Sequence, residues 1–167
     1  MNEKGLIYEK LDALNIAYDT LTHPLAHTMD DLSEVARQLG AVIPKNLFLT
    51  PRNQSAFYLC LVQPDAVFKT ADISKQIGVS RLSFGPADKL SELLHTHPGA
   101  ISPMGLAFAS AQSVRLLIDE RLRACPRLGF HPNDNTETLA ISGRDFFDLF
   151  LPATGFVPTY IHLEAFE

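Results

Sequence analysis

Three short patterns in this chain combine residue types that could do chemistry. Residues 43–49, Ile-Pro-Lys-Asn-Leu-Phe-Leu, set Lys45 and Asn46 at the start of an otherwise apolar run. A lysine there can present a point charge to a phosphate or to a developing oxyanion. It can equally lay its stem along a sheet edge and keep its ammonium in water. Residues 97–106, His-Pro-Gly-Ala-Ile-Ser-Pro-Met-Gly-Leu, are rich in Gly and Pro. Glycine lets backbone approach a ligand closely, and such a loop can aim N–H groups at an anion. The same composition also makes a plain connection. Residues 129–138, Gly-Phe-His-Pro-Asn-Asp-Asn-Thr-Glu-Thr, put His131 at a strand end before a polar turn. A histidine so placed can orient a water or a hydroxyl, or serve the fold alone.

Other chemistries lack their residues. The sequence has no Gly-x-x-x-x-Gly-Lys-Ser/Thr loop, no Gly-x-Gly-x-x-Gly turn, no His-Glu-x-x-His and no Gly-x-Ser-x-Gly. P-loop hydrolysis, Rossmann redox chemistry and serine-hydrolase chemistry lose support. His23 and His27 are four apart, and His95 and His97 two apart. A proline follows His23 and another follows His97, so neither pair is expected on one helix face. No Cys or carboxylate cluster completes a ligand set. Neither a metal nor a cofactor is expected. Cys60 and Cys125 form no Cys-x-x-Cys pair and read as buried spectator thiols, which suits a reducing cytoplasm.

The elements that must position these residues can be read from periodicity and breakers. Leu6, Ile7, Leu11 and Leu14 predict an amphipathic helix over 3–15. A short strand follows over 17–21. A capping box at Thr28–Asp31 opens a helix that Gly40 stops. Apolar runs at 41–50 and 56–62 predict a hairpin. A helix over 70–77 ends at Gly78, a strand is expected at 81–84, and Pro86 opens a helix reaching about His95. Residues 98–106 should be irregular. Strands follow at 113–119 and 138–142, then a helix from a capping box at Ser142–Asp145 to about Pro152, and a strand at 160–163. The fold class is therefore α/β or α+β: a single domain over 1–167, with one central mixed, largely antiparallel sheet and flanking helices.

Bulk properties narrow the partners. The chain has 167 residues, 46% hydrophobic and 20% charged, with a formal net charge of −5. That charge argues against gripping a long nucleic-acid backbone, DNA included, but not against reading one nucleotide end in a pocket. Arg115, Arg121, Arg123 and Arg127 form one basic group, and Lys69, Lys75, Arg81 and Lys89 another. Either could face phosphate, or be solvated surface charge. No apolar run is long enough to span a membrane. The charged, amphipathic N-terminus does not read as a signal peptide.

The three patterns, in this order, resemble the editing-domain superfamily of bacterial prolyl-tRNA synthetase. The His-x-x-x-His-Thr segment at 23–28, the Lys-Asn-Leu-Phe-Leu strand and the Ser-Gly-Arg-Asp-Phe helix start at 142–146 extend the resemblance over nearly the whole chain. It is closest to the freestanding subgroup that deacylates Ala-tRNA(Pro). The resemblance implies a compact mixed α/β fold with one cleft. It carries catalytic roles to Lys45, to the loop residues Gly99, Ala100 and Ser102, and to His131. It carries substrate contacts to Thr28, Asn46, Pro103 and Met104, and Arg81, from the second basic group, is a further expected substrate contact. The implied partners are the acceptor 3′ end of a mischarged tRNA and a prolyl-tRNA synthetase. Hydrolysis of Cys-tRNA(Pro), and an idle module that only binds tRNA or synthetase, are the alternatives.

Overall fold

The computed structural model describes residues 3–25 and 29–164. Helix α1, Glu3–Ala13, buries Ile7 and Leu11 one turn apart, while Leu6 faces solvent. Strand β1 (Asp19–Thr22) and helix α2 (Met29–Leu39) follow. Strands β2 (Lys45–Pro51) and β3 (Tyr58–Val62) form the expected antiparallel hairpin. Helix α3 (Thr70–Ile77) ends at Gly78, as its sequence requires. Strand β4 (Leu82–Phe84) and helix α4 (Ala87–Leu94) lead into short 3-10 turns at Pro98–Ala100, Pro103–Ala107 and Ala109–Ala111. Strands β5 (Arg115–Asp119), β6 (Arg127–Phe130) and β7 (Glu137–Ser142) come next. Helix α5 runs over 143–154, and β8 (Thr159–Ile161) closes the described chain.

Two devices shape α5. The Ser142 hydroxyl accepts the Asp145 N–H at 3.0 Å, so the predicted cap forms. A π-type turn at Phe146–Phe150 interrupts the helix just before Pro152. Proline has no N–H to give the carbonyl four residues back, and the helix widens there rather than breaking. The other predicted capping box begins at Thr28, which lies outside the described residues.

The mixed α/β class holds, but the strands divide between two sheets rather than one. A five-stranded mixed sheet has the order β4-β2-β3-β5-β8, and a three-stranded antiparallel sheet the order β1-β7-β6. Alternation along the strands explains how both faces of the larger sheet are covered. Phe48, Leu59, Leu61, Leu116 and Ile118 point to one face, where they meet Leu128, Phe130, Leu139 and Ile141 of the smaller sheet. Leu49, Cys60, Val62 and Leu117 point to the other, toward Ile73 of α3. One core therefore joins the two sheets. A single parallel bridge, Val42 to Leu128, also links them: Val42 N–H donates to the Arg127 carbonyl at 3.0 Å and Gly129 N–H to the Val42 carbonyl at 2.8 Å. Among the described residues no helix is long and apolar enough to cross a membrane.

Candidate functional site

The bridge between the sheets is what assembles the site. After Val42 the chain passes through Ile43 and Pro44 and enters β2 at Lys45. On the other side of the bridge β6 ends at Phe130, and His131 follows. Pairing Val42 with Leu128 therefore brings residues three positions downstream on each chain, Lys45 and His131, to the mouth of one cavity of about 230 Å³. Asn46, Pro98, Gly99 and Ile101 line the same cavity, and Leu32, Ile43, Leu47 and Phe130 give it an apolar wall.

His131 is held more tightly than a surface histidine. It is buried, and its Nδ1 lies 2.9 Å from the Glu137 carbonyl oxygen. A carbonyl only accepts, so Nδ1 carries the hydrogen and Nε2 keeps its lone pair. Burial pushes the imidazole pKa below its ordinary value, against the upward pull of the Glu137 hydrogen bond. Lys45 is half-buried and makes no ion pair among the described residues. Asn46 donates to the Pro44 carbonyl at 3.2 Å, while its Oδ1 is buried with no partner. A buried acceptor without a donor is costly, and a ligand donor at that point would satisfy it.

The loop contributes different atoms from those expected. Ala100 is fully buried, and its N–H already donates to the His97 carbonyl at 2.9 Å. Ser102 is also fully buried, and its hydroxyl accepts the Met104 N–H at 3.1 Å. These two residues shape the loop from within. Gly99 and Ile101 are the loop residues that line the cavity, and their backbone N–H groups are the candidate donors there. Pro103 and Met104 are buried behind the loop, Met104 in the main core, so the wall residue at this point is Ile101. Arg81 sits beside Leu82, which pairs with Pro51 at the far end of β2 from Lys45. That is about 20 Å along the strand, outside the cavity. Thr28 lies outside the described residues.

Residues that carry no chemical signal of their own in the sequence hold the loop against the His131 turn. Asn133 donates to the Leu94 and His95 carbonyls at 2.9 and 3.0 Å, tying the turn to the end of α4. Its φ of 58° is one that asparagine adopts more readily than most residues. Thr96 Oγ1 donates to the Ala100 carbonyl at 2.8 Å. His23 packs against His131 with ring centroids 6.1 Å apart, and its Nε2 lies 2.8 Å from Thr138 Oγ1. The visible signal was a turn with three Asx residues in a row, but its partners were not legible.

Groups elsewhere are already paired. Arg121 binds Asp65 and Asp119, and Arg127 binds Asp19. Arg115 and Arg123 lie over the Tyr58 and Tyr160 rings. Within the 115–127 group, Arg121 and Arg127 are therefore engaged in ion pairs, while Arg115 and Arg123 are exposed. Cys60 and Cys125 are buried and free, and burial pushes the Cys60 thiol up to about 12, far from a reactive thiolate. Among the described residues no group of three or more His, Cys, Asp or Glu side chains is placed to hold a metal ion.

The chain was compared with known proteins. The sequence model of the aminoacyl-tRNA editing domain matches residues 23–149. Over 145 residues the chain is 30% identical to the prolyl-tRNA editing protein ProX of Acetoanaerobium sticklandii, covering 87% of this chain and 88% of that one. Over 160 residues it is 28% identical to prolyl-tRNA synthetase associated domain-containing protein 1 of Mus musculus, covering 93% and 94%. A solved structure described as that of a candidate trans-editing enzyme for prolyl-tRNA synthetase matches with a TM-score of 0.71 at 16% identity, over 99% of each chain, which speaks to the fold. The family match takes in most of the chain and every residue around the cavity, and the chain belongs to the aminoacyl-tRNA editing domain family.

Proposed function

We propose that this protein is a trans-editing deacylase that hydrolyses mischarged tRNA(Pro), with alanine as its acyl group. The observation that carries this reading is the convergence of Lys45, Asn46, the loop N–H groups and His131 on one small cavity. At about 230 Å³ it is smaller than the ~300–1,000 Å³ typical of small-molecule pockets, and it suits a short acyl group on a terminal ribose. The names of the relatives point to tRNA(Pro) and to prolyl-tRNA synthetase as the partner that supplies it.

The reaction is ester hydrolysis. The carbonyl carbon gains a water oxygen, negative charge builds on the carbonyl oxygen, and the ribose oxygen leaves with a proton. The N–H groups of Gly99 and Ile101 are the donors for the carbonyl oxygen, since preorganised donors aimed at developing charge lower the barrier most. Lys45 holds the terminal phosphate or ribose by charge. His131 Nε2, unprotonated, accepts a hydrogen bond from the attacking water or from the free ribose hydroxyl. The unpaired Asn46 Oδ1 receives a donor from the substrate, which offers an α-ammonium and a ribose hydroxyl. Selectivity follows from exclusion. Leu32, Ile43, Ile101 and Phe130 form the apolar wall that, in this reading, favours a methyl group over the larger prolyl ring, as a second sieve does.

A deacylation panel with Ala-, Ser-, Cys- and Pro-tRNA(Pro) tests this. Ala-tRNA(Pro) should be hydrolysed fastest and Pro-tRNA(Pro) spared. A preference for Cys-tRNA(Pro) would move the assignment to the sister activity. Tight tRNA binding without hydrolysis would leave a binding module.

A further inference from the structure

We propose that helix α1, which lies before the residues matched by the family, is a positioning element for His131. Tyr8 and Lys4 would hold the 131–137 turn in the shape that fixes the imidazole's tautomer and direction. The proposal rests on His131 acting in the reaction above.

The two α1 residues lie one helical turn apart, on one face. The Tyr8 hydroxyl donates to Glu137 Oε2. Lys4 Nζ lies 3.5 Å from Glu137 Oε1 and 3.3 Å from Asp134 Oδ2. Asp134 lies in the turn that follows His131, and Glu137 opens β7 at the end of that turn. Asp134 Oδ1 in turn accepts the Thr136 N–H at 2.9 Å and its hydroxyl at 2.6 Å, which closes the turn on itself. The backbone carbonyl of Glu137 is the acceptor for His131 Nδ1. A displacement of Glu137 therefore removes the one contact that assigns the hydrogen to Nδ1. The imidazole would then be free to place a hydrogen on Nε2, where it could no longer accept from water.

The setting is crowded with titratable groups. His131 faces His23 and His97, with Asp134 in the turn after it, Glu137 at the end of that turn, and Lys4 and Tyr8 across from them. Burial and the Glu137 carboxylate push the Tyr8 hydroxyl pKa well up, so it remains a donor. Removing it leaves a carboxylate short of one donor in a half-buried site, and water must enter to supply it.

The test uses the full chain and three variants: Tyr8→Phe, Lys4→Met and, as control, Tyr18→Phe. Tyr18 packs against Tyr8 with ring centroids 5.0 Å apart and the planes tilted by 39°, but its hydroxyl donates to Asp12, away from the turn. Side-chain nitrogen NMR should show His131 as one Nδ1–H tautomer in the wild type and in Tyr18→Phe. A mixture is expected in Tyr8→Phe and Lys4→Met. In Ala-tRNA(Pro) hydrolysis those two variants should lose kcat by roughly 10- to 100-fold with KM little changed, as misorientation does. Their acid limb should move to higher pH, because a rehydrated imidazole regains its ordinary pKa. If Tyr8→Phe fails to fold, Lys4→Met alone decides. Wild-type imidazole signals and an unmoved acid limb in the folded variants overturn the proposal, whatever their melting temperatures. A changed tautomer in a chain with no deacylase activity would instead reject the reaction and leave the hold of α1 on His131 standing.

Discussion

Lys45 and His131 enter the cavity from two different strands, and their losses should differ in kind. Lys45→Ala removes a charge-assisted contact worth about 1.5–3 kcal/mol. Its kcat/KM for Ala-tRNA(Pro) should fall about 10- to 150-fold, mostly through KM, because a grip on phosphate is felt equally in ground and transition states. His131→Ala should lower kcat about 100-fold or more at unchanged circular dichroism. Wild-type rates in either variant reject its assigned role. The pH dependence follows from the burial of His131. Its folded pKa lies below the unfolded value near 6.5, so the unfolded chain takes up its proton first as pH falls. Its contribution to stability is full above about pH 6.5 and is lost as pH drops through the folded value. Activity needs Nε2 unprotonated and should be lost in the same direction. A pH–rate profile checks this, and an acid limb that survives unchanged in His131→Ala would belong to another group. At this scale the sequence showed which types of residue were present, and its resemblance to the editing-domain superfamily implied that Lys45, Asn46, Gly99 and His131 share one cleft. It could not show that Ala100 and Ser102 face inward, because a loop without periodicity does not declare which side is buried.

The elements depend on a few close approaches of backbone. A Cβ added at Gly105 would lie 2.6 Å from the Leu94 carbonyl oxygen, which is backbone and cannot turn aside. Gly105→Ala must therefore push the 98–107 loop off the end of α4. We expect a loss of about 1–3 kcal/mol, read by thermal unfolding, and a larger loss of deacylation than that instability accounts for. Gly99→Ala differs, since the added Cβ meets the Asn135 amide at 3.0 Å, a side chain that can give way. It should fold normally, and a melting temperature far below the wild type would refute that. Helices and the β2–β3 hairpin were legible because each carries its own signal: the αL glycine at Gly78, the Ser142 cap, the apolar runs at 41–50 and 56–62. Arg127–Phe130 was legible only as a strand end before His131. Its partners, β7 and Val42, lie elsewhere in the chain, and the division into two sheets depends on that pairing.

Across the whole molecule the net charge is −5, and within the 115–127 group Arg121 and Arg127 are held in ion pairs. A protein that grips only a single-stranded end should show a shallow salt dependence. We expect log kcat/KM against log salt concentration to have a slope no steeper than about −2, given roughly −0.7 for each phosphate neutralised on a single strand. Lys45→Ala should flatten it by a little under one. A steep slope would mean contacts to many phosphates, beyond a single-stranded end.

What the sequence determined by itself is local: where helices start and stop, which runs are apolar, and which three segments carry polar or glycine-rich chemistry. Those signals arise within a few residues of each other, so a linear reading recovers them. Tertiary structure decided the rest. The Val42–Leu128 bridge brings Lys45 to His131, and the hydrogen bonds of Asn133 bring the loop to the turn. Ile101 takes the wall position while Met104 goes into the core. Each of these joins residues far apart in the chain, and contact at that separation follows from the packing of two sheets on one core rather than from the order of residues.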